Sequence, residues 1–226
     1  MEYKIKKSIE RKSNEVYEKF QELGVATVYE AQGQKGLLND RIKPIQMDSC
    51  VSGPAITVKC GSGDNLMIHA AVEFCKEGDI LVVTTEGESN KHGMIGDLLV
   101  QSLMEKGVKG LIIDGGIRDS KRIRELGFPV WTTAVVCSGT TKIKPGTVNS
   151  SVVCAGIQIN AGDLILADDD GVVVVRQEEI EKALESAKKR EHKEMETLKK
   201  IKNGELGIDF YGFRERIKGL NIEYTD

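Results

Sequence analysis

Residues 93–120 read GMIGDLLVQSLMEKGVKGLIIDGGIRDS, and their spacing predicts a helix followed by a buried strand. Leu99 and Leu103 recur four residues apart, which places them on one side of a helix over residues 97–106. Gly107 follows at once, and glycine is the residue type that most often ends a helix in the left-handed conformation. The pattern therefore predicts an amphipathic helix with a defined end.

The strand is predicted over residues 110–114, a short apolar run with two isoleucines. Short apolar runs bounded by glycines are typical of strands that are buried on both faces. Gly115-Gly116 is expected to end this strand, and Gly93 and Gly96 predict a flexible loop before the helix. A helix that feeds a buried strand favours an α/β fold.

Charged residues follow the strand and begin the helix. Ligands of α/β proteins collect beyond the carboxyl ends of strands. Arg118 and Asp119 follow the predicted strand at such an end. The first N–H groups of a helix have no partner within it and carry partial positive charge, which suits a carboxylate near Asp97. A guanidinium binds a carboxylate through two hydrogen bonds, and a carboxylate binds a hard cation such as magnesium. The sequence therefore predicts a site for a small oxo-acid.

Asp97, followed by twenty residues and then Arg118-Asp119, resembles the signature of the class II pyruvate aldolases. These are the 4-hydroxy-4-methyl-2-oxoglutarate / 4-carboxy-4-hydroxy-2-oxoadipate aldolases, which share a superfamily with proteins resembling regulator of ribonuclease activity A. The similarity covers most of the chain, and it extends through residues 53–58, 63–66, 78–83, 96–99, 114–119 and 162–171.

The resemblance implies roles for individual residues. Asp119 is expected to be a direct ligand of a divalent cation, Mg²⁺ or Mn²⁺, and Arg118 to stabilise an enolate. The N–H groups of Leu98 and Leu99 are expected to bind the pyruvyl carboxylate, and Asp97 to hold a water that carries the proton. The predicted substrate-binding residues are Gly96, Asp97, Leu98, Leu99 and Arg118.

The C-terminal helix is expected to complete the site of a neighbouring subunit, as the resemblance implies. Glu194 is the best positional match for that catalytic glutamate, with Glu191 close behind. A site shared between subunits requires an oligomer, and the family pattern is a trimer or a hexamer of two stacked trimers.

Three functions remain open at this point. The first is a metal-dependent aldolase that cleaves a 4-hydroxy-2-oxo acid to pyruvate and also decarboxylates oxaloacetate. The second is a related lyase for another hydroxy or oxo acid, and the third is a non-catalytic regulator that binds an RNA-degrading enzyme. The formal net charge of −3 gives no case for nucleic acid as a partner.

An internal echo indicates how the layers are built. Gly78-Asp79 and Gly162-Asp163 each precede an apolar run that ends at an acidic residue and a glycine. Two such units predict a layered β core in which Asp79 and Asp163 are turn residues. We therefore predict an α/β fold of the layered α-β-β-α sandwich type, with a swivelling β/β/α-like core, N-terminal helices and a C-terminal helical tail.

Several acidic and glycine-rich segments have two interpretations. Residues 168–170 are three aspartates that fit a turn between strands better than a metal site. Residues 61–65 are either a turn with a helix cap at Asp64 or Asn65, or a loop that lines the cleft. His69 follows on the predicted helix, where a packed or solvated histidine is the commoner case.

The remaining sequence sets the organisation of the 226 residues. Residues 1–176 are predicted to be the catalytic core, with two helical segments within residues 1–24 and a strand over 50–60 broken by Gly53-Pro54. Residues 177–226 are predicted to be a long helix and tail that make oligomer contacts. No signal peptide or membrane-spanning run is present, so a cytoplasmic protein with no membrane contact is expected. The five cysteines lack C-x-x-C spacing, and buried free thiols are expected.

Overall fold

The protein is described by a computed structural model that covers residues 3–87, 89–220, 222 and 225. The helices are α1 Asn14–Leu23, α2 Val25–Ala31, α3 Leu66–Val72, α4 Asp97–Glu105, α5 Ser120–Glu125, α6 Ile180–Lys202, α7 Gly207–Phe210 and α8 Phe213–Gly219. The strands are β1 Lys4–Ile5, β2 Lys43–Pro44, β3 Val51–Cys60, β4 Ile80–Thr85, β5 Gly93–Ile95, β6 Gly110–Ile117, β7 Val130–Val135, β8 Thr147–Val148, β9 Val152–Cys154, β10 Ile157–Ile159, β11 Leu164–Ala167 and β12 Val172–Val175.

The main sheet is mixed, with strand order β1-β8-β3-β4-β6-β7-β2. Its centre, β3-β4-β6-β7, is parallel, and β5 pairs with the far end of β6. The first half of β3 pairs instead with β11, which forms an antiparallel hairpin with β12. The sheet therefore divides along β3 into a parallel part and an antiparallel part.

The predicted α-β-β-α layering is confirmed by three buried clusters. One face of the parallel strands packs on α3, α4 and α5, through side chains such as Leu81, Leu103 and Ile113. The opposite face packs on one side of the β11-β12 hairpin, with Ile112 and Trp131 between the two layers. The other side of the hairpin is covered by α1, α2 and the start of α6. Alternate residues of each strand thus fill cores on opposite faces.

The predicted break of β3 at Gly53-Pro54 is wrong, because β3 changes partners there without ending. Pro54 pairs with Leu164 of β11, and Ala55 begins the parallel pairing with β4. A Cβ on Gly53 would overlap the carbonyl oxygen of Gly78, so the glycine permits close approach of the two chains. Gly53 and Pro54, which suggested a break, lie where β3 passes from pairing with β11 to pairing with β4.

The strand predicted to end at Gly115-Gly116 continues to Ile117. β5 lies beside this extension, where a Cβ on Gly116 would come within 2.7 Å of the His92 carbonyl oxygen. Gly93 is the first residue of β5, so it belongs to a strand and not to the predicted flexible loop. Two helical segments were expected within residues 1–24; in the described residues 3–24 the structure has one helix, α1, and Lys4–Ile5 is a strand.

The two echoed turns are confirmed, and each also anchors an arginine. The Asp79 Oδ2 atom accepts the Lys76 N–H at 2.7 Å, and its carboxylate binds the guanidinium of Arg11 through two bonds of 2.8 Å. Asp163 accepts the Asn160 N–H at 2.8 Å and a bond of 2.7 Å from Arg176. Both carboxylates are buried, and buried carboxylates require such partners.

The aspartates of residues 168–170 form a turn between β11 and β12, as predicted. Asp168 accepts the N–H of Val25 at 2.9 Å and thereby caps the start of α2. Its carbonyl oxygen accepts the indole N–H of Trp131 at 2.8 Å. This turn therefore joins two layers of the sandwich.

The chain divides into two compact units, residues 1–187 and 188–226. The division falls within α6, later than the predicted boundary at residue 176, because Ile180, Ala183 and Ala187 are buried in the third cluster. Within the second unit Lys200 Nζ lies 5.6 Å from the ring centre of Phe210. In the described part of the chain, no helix combines the length and apolar content that a membrane crossing requires.

All five cysteines are free thiols. Cys60, Cys75 and Cys154 are buried, as predicted, and Cys137 is exposed. Burial raises the pKa of Cys60 and of Cys75 to about 12, with a further contribution from Asp64 and Asp79 respectively. The buried thiols are therefore protonated and serve as small apolar side chains.

Candidate active site

Helix α4 begins directly after β5, at the edge of the sheet that is formed by the carboxyl ends of the parallel strands. The first backbone bond within it runs from the Val100 N–H to the Gly96 carbonyl oxygen at 3.1 Å. The helix consequently offers no acceptor to the N–H groups of Leu98 and Leu99. These two amides and the positive end of the helix dipole are available to an anion.

Arg118 and Asp119 follow β6 at the same edge. The Arg118 N–H donates to the Ile95 carbonyl oxygen at 2.9 Å, which ties the end of β6 to the end of β5. Asp119 has φ 56° and ψ 30°, a left-handed conformation that few residues other than glycine adopt. Strained backbone of this kind often marks a functional position, and it aims the carboxylate back toward α4.

The side chains of Arg118 and Asp119 meet the start of α4. Asp119 Oδ2 lies 3.4 Å from the Asp97 N–H nitrogen and 3.4 Å from Arg118 Nε. A Cβ on Gly96 would overlap Asp119 Oδ2 and lie 3.0 Å from Arg118 Nε. Glycine at position 96 therefore permits the convergence that the sequence predicted.

A cavity of about 250 Å³ lies over this point. It is bordered by all of the predicted substrate-binding residues, namely Gly96, Asp97, Leu98, Leu99 and Arg118. A volume of this size suits a small organic acid. Arg118 and the helix-start amides give it a concentration of hydrogen-bond donors for a carboxylate.

Four further polar residues border this cavity, of which Lys142 and Thr140 were not predicted from the sequence. Lys142 and Thr140 come from a loop before β8, and Asn65 and His69 come from the start and middle of α3. Partial burial and the positive charge of Lys142 lower the pKa of His69, so the imidazole is neutral at pH 7. Asn65 is 7% exposed, and its amide donates to the Met94 carbonyl oxygen at 2.9 Å.

The position of Lys142 has no local signal in the sequence. By contrast, the glycine-rich turn at residues 61–65 carries a signal, because one of its two interpretations places it at the cleft, and Asn65 borders the cavity. Lys142 reaches the cavity through contacts between segments about eighty residues apart in the chain, such as Thr141 with Asp64. Periodicity and motif spacing do not report contacts of that range.

A second cavity of about 600 Å³ lies on the other side of Arg118. Asp119 borders this cavity and not the first, together with Lys121, Arg122 and the exposed Cys137. Arg118 borders both. The Arg118-Asp119 pair therefore stands between the two spaces, with Asp119 Oδ2 directed toward the helix start.

The donor set at Asp119 is compatible with a magnesium-type cation. Its side chain is 41% exposed, and one carboxylate with waters and substrate oxygens is a common magnesium arrangement. Among the residues that the structure describes, no three His, Cys, Asp or Glu side chains are grouped to hold a metal ion. A cation here would therefore rely on Asp119 and on oxygens that the protein does not supply.

Glu194, the predicted glutamate of a neighbouring site, belongs to the second unit. Its side chain is half exposed and forms an ion pair with Arg190, one turn earlier in α6, at a distance of 2.9 Å from Nε. Glu191 lies on the same helix. The assignment of either residue to a catalytic role stays a prediction.

Comparison with known proteins agrees with this geometry. The family model described as "RraA-like: Aldolase/RraA" matches residues 25–174, which include the whole of the convergent site. The chain belongs to the Aldolase/RraA family. One family relative is named "Putative 4-hydroxy-4-methyl-2-oxoglutarate aldolase" from Halalkalibacterium halodurans; it is 32% identical over 77% of this chain and 82% of its own length.

Two solved structures share the fold of this chain. RraAS2 of Streptomyces coelicolor, described as an unusual member of the RNase ES inhibitor RraA protein family, is 27% identical with a TM-score of 0.71. The match covers 84% of this chain and 98% of that one. An uncharacterized protein of Pseudomonas syringae is 23% identical with a TM-score of 0.74, and the match covers 88% of this chain and 97% of that one. This likeness supports the fold alone.

Proposed function

We propose that this protein is a metal-dependent lyase that cleaves a 4-hydroxy-2-oxo acid of the 4-hydroxy-4-methyl-2-oxoglutarate type to pyruvate. Oxaloacetate decarboxylation is the expected side activity, because it passes through the same pyruvate enolate. The observation that carries the proposal is the convergence of Arg118 and Asp119 on the start of α4. The names of the aldolase relatives support it.

The pyruvyl end of the substrate binds at the helix start. Its carboxylate accepts hydrogen bonds from the N–H groups of Leu98 and Leu99, where the helix dipole also favours negative charge. The Arg118 guanidinium lies beside the C2 oxygen, which gains negative charge as the bond between C3 and C4 breaks. Loss of one such donor typically lowers turnover by about 10²–10³-fold.

Proton transfer is assigned to Asp97. The C4 hydroxyl must lose its proton for the bond between C3 and C4 to break, and C3 of the enolate must gain one to give pyruvate. Asp97 borders the cavity and holds a water that takes the first proton and returns the second. Asp119 would hold a divalent cation, which would supply Lewis-acid stabilisation of the negative charge on the enolate.

The far end of the substrate extends toward the wall formed by Lys142, Thr140 and His69. A second carboxylate there would pair with the Lys142 ammonium, while the neutral His69 leaves that cation without a like-charged neighbour. A cavity with a cation at each end fits a dicarboxylic acid better than a monocarboxylic one.

The assay that tests the proposal follows pyruvate release. Purified protein with Mg²⁺ or Mn²⁺ is expected to release pyruvate from both 4-hydroxy-4-methyl-2-oxoglutarate and oxaloacetate. Absence of pyruvate from both substrates would sink the aldolase assignment and favour the non-catalytic regulator, an alternative that the RraAS2 description brings forward. Pyruvate from neither of these but from another oxo-acid would favour the related lyase.

The variant that tests the cation is Asp119→Asn. Asparagine tolerates the left-handed backbone of position 119 about as well as aspartate, whereas alanine adds strain. Asp119→Asn is therefore expected to lose metal-dependent turnover and metal binding while its melting temperature stays close to that of the wild type. Wild-type turnover in this variant would mean that the cation sits elsewhere.

The assembly is proposed to be a homotrimer or a hexamer, with Glu194 of one subunit serving the site of the next. The half-exposed side chain of Glu194 leaves its carboxylate accessible to a neighbouring molecule. Sedimentation of the purified protein tests the assembly directly.

A further inference from the structure

Asp64 is the most completely bonded carboxylate near the cavity, yet it does not border the cavity. Its Oδ2 atom accepts bonds from the Thr141 hydroxyl at 2.7 Å, the Ile143 N–H at 2.6 Å and the Lys144 N–H at 3.1 Å. Its Oδ1 atom accepts the Leu66 N–H at 2.9 Å. Asp64 is 1% exposed, so it acts on the protein and not on a ligand.

The backbone repeats the same connection. The Thr141 N–H donates to the Gly63 carbonyl oxygen at 2.9 Å, and the Asn65 N–H donates to the Thr141 carbonyl oxygen at 3.1 Å. Residues 63–65 therefore hold residue 141 from both sides, while the Asn65 side chain donates to the Met94 carbonyl oxygen. One short turn thus ties residue 141 to Met94, which also borders the cavity.

The segment that carries Lys142 has one further bond to the same turn, from Lys144 Nζ to the Ser62 carbonyl oxygen at 2.6 Å. Residues 141–145 are all exposed, and Ile143 is 78% exposed, so the segment buries no apolar side chain of its own. Lys142 lies between Thr141 and Ile143, the two residues that make the shortest bonds to Asp64. The direction of the Lys142 side chain consequently depends on the Asp64 carboxylate.

We propose that Asp64 is a positioning residue that holds Lys142 in the cavity and thereby makes the site select substrates with a second carboxylate. The selection rests on the proposed aldolase function, whereas the holding of the segment does not. Asparagine at position 64 keeps the shape but replaces one acceptor oxygen with an N–H₂ group. That group faces donors on either side, so the segment loses part of its anchorage.

The test compares two substrates with the same reacting centre, 4-hydroxy-4-methyl-2-oxoglutarate and 4-hydroxy-2-oxopentanoate, which lacks the far carboxylate. Asp64→Asn is expected to raise the KM for the dicarboxylate about tenfold or more, the effect of losing one charged hydrogen bond. The kcat/KM for the monocarboxylate and the exchange of pyruvate methyl protons should change less than about twofold.

Two further variants separate positioning from general stability. Lys142→Ala should reproduce the selective rise in KM, and Asp64→Asn/Lys142→Ala should be no worse than Lys142→Ala alone, because both act through one cation. Asp163→Asn removes charge from an equally buried turn aspartate that binds Arg176. It should lower the melting temperature and leave the ratio of the two substrates unchanged.

Hydrogen exchange measured on the full protein tests whether Asp64 anchors the segment, and this measurement does not depend on enzyme activity. Amides of residues 141–144 should exchange faster in Asp64→Asn than in the wild type or in Lys142→Ala. Unchanged exchange there, or equal losses on both substrates, or additive effects in the double variant would overturn the proposal. A wild type that releases no pyruvate but shows the expected exchange would overturn the aldolase function and its selectivity and leave the anchoring role established.

Discussion

Residue 96 shows how one missing Cβ determines the chemistry of the site. Gly96 has φ −124°, a conformation open to any residue, so glycine is not required here by backbone geometry. It is required by space, since Asp119 Oδ2 occupies the position that a Cβ would take. The glycine therefore serves the approach of the carboxylate and the guanidinium to the helix start.

Gly96→Ala is accordingly expected to impair function and spare the fold. The added methyl group must displace the ends of two flexible side chains, so the free energy of unfolding should fall by no more than about 1–2 kcal/mol. Turnover should fall about 10²-fold or more, because Asp119 and Arg118 leave their positions together. Urea unfolding measures the change in stability, the pyruvate assay measures turnover, and calorimetric titration with Mg²⁺ shows whether the metal affinity falls with it.

The matched control is Gly219→Ala, at a glycine with no heavy atom within 4 Å of the added Cβ. This variant should keep wild-type turnover and change stability by less than about 1 kcal/mol. Wild-type magnesium affinity and turnover in Gly96→Ala would show that the convergence at residue 119 is not needed.

At the scale of elements, the sequence predicted the helix and strand of residues 93–120 because both carry their own periodicity. It failed where glycine has two possible meanings. The sequence predicts a strand break at Gly53, a flexible loop at Gly93 and a strand end at Gly116, whereas each of these glycines permits close approach of another backbone within the sheet. That distinction depends on which chain lies opposite, and a local pattern does not contain it.

The turn at Asp64 makes a prediction about acid stability. Burial alone would raise the pKa of Asp64, but bonds from Ile143, Thr141, Leu66 and Lys144 outweigh it and lower the pKa to about 2. The folded-state pKa thus lies below the ordinary value of 3.8, so the carboxylate stabilises the fold above pH 4. That contribution, about 2 kcal/mol, is lost as the pH falls from about 4 toward 2.

Urea unfolding of the wild type and of Asp64→Asn between about pH 5 and pH 2.5 measures this contribution. The difference in free energy of unfolding should be largest at pH 5 and should shrink as the pH falls, because other carboxylates titrate equally in both proteins. A difference that stays constant over this range would mean that Asp64 keeps an ordinary pKa.

For the molecule as a whole, the boundary predicted after residue 176 precedes the division between the two units. Residues 180–187 pack on the core and residues 188–226 form a separate unit, although one helix crosses the division. His192 of α6 lies beyond this division, and its side chain is 73% exposed. A continuous helical pattern does not reveal where a helix leaves its core, since periodicity is the same on both sides.

The shared site proposed for the oligomer is testable by complementation. Asp119→Asn and Glu194→Gln subunits should each be inactive alone. A mixed trimer contains interfaces in which a normal Asp119 faces a normal Glu194 from the neighbouring subunit. Every mixed trimer, whichever variant is present twice, has one such interface out of three, so about a third of its sites should regain turnover. Co-expression with two affinity tags isolates the mixed species, and pyruvate release measures the recovery.

Glu196→Gln is the matched control, because Glu196 lies on the same helix and its side chain is 61% exposed. The Glu196→Gln variant should be active by itself, and the Glu196 carboxylate should not be needed for the recovery of turnover in mixed trimers. Mixed trimers that regain no turnover would place Asp119 and Glu194 in the same site of one subunit, or outside a common site. Full turnover in Glu194→Gln alone would transfer the expectation to Glu191, and the same mixing experiment with Glu191→Gln would then decide whether the helix of one subunit completes the site of another.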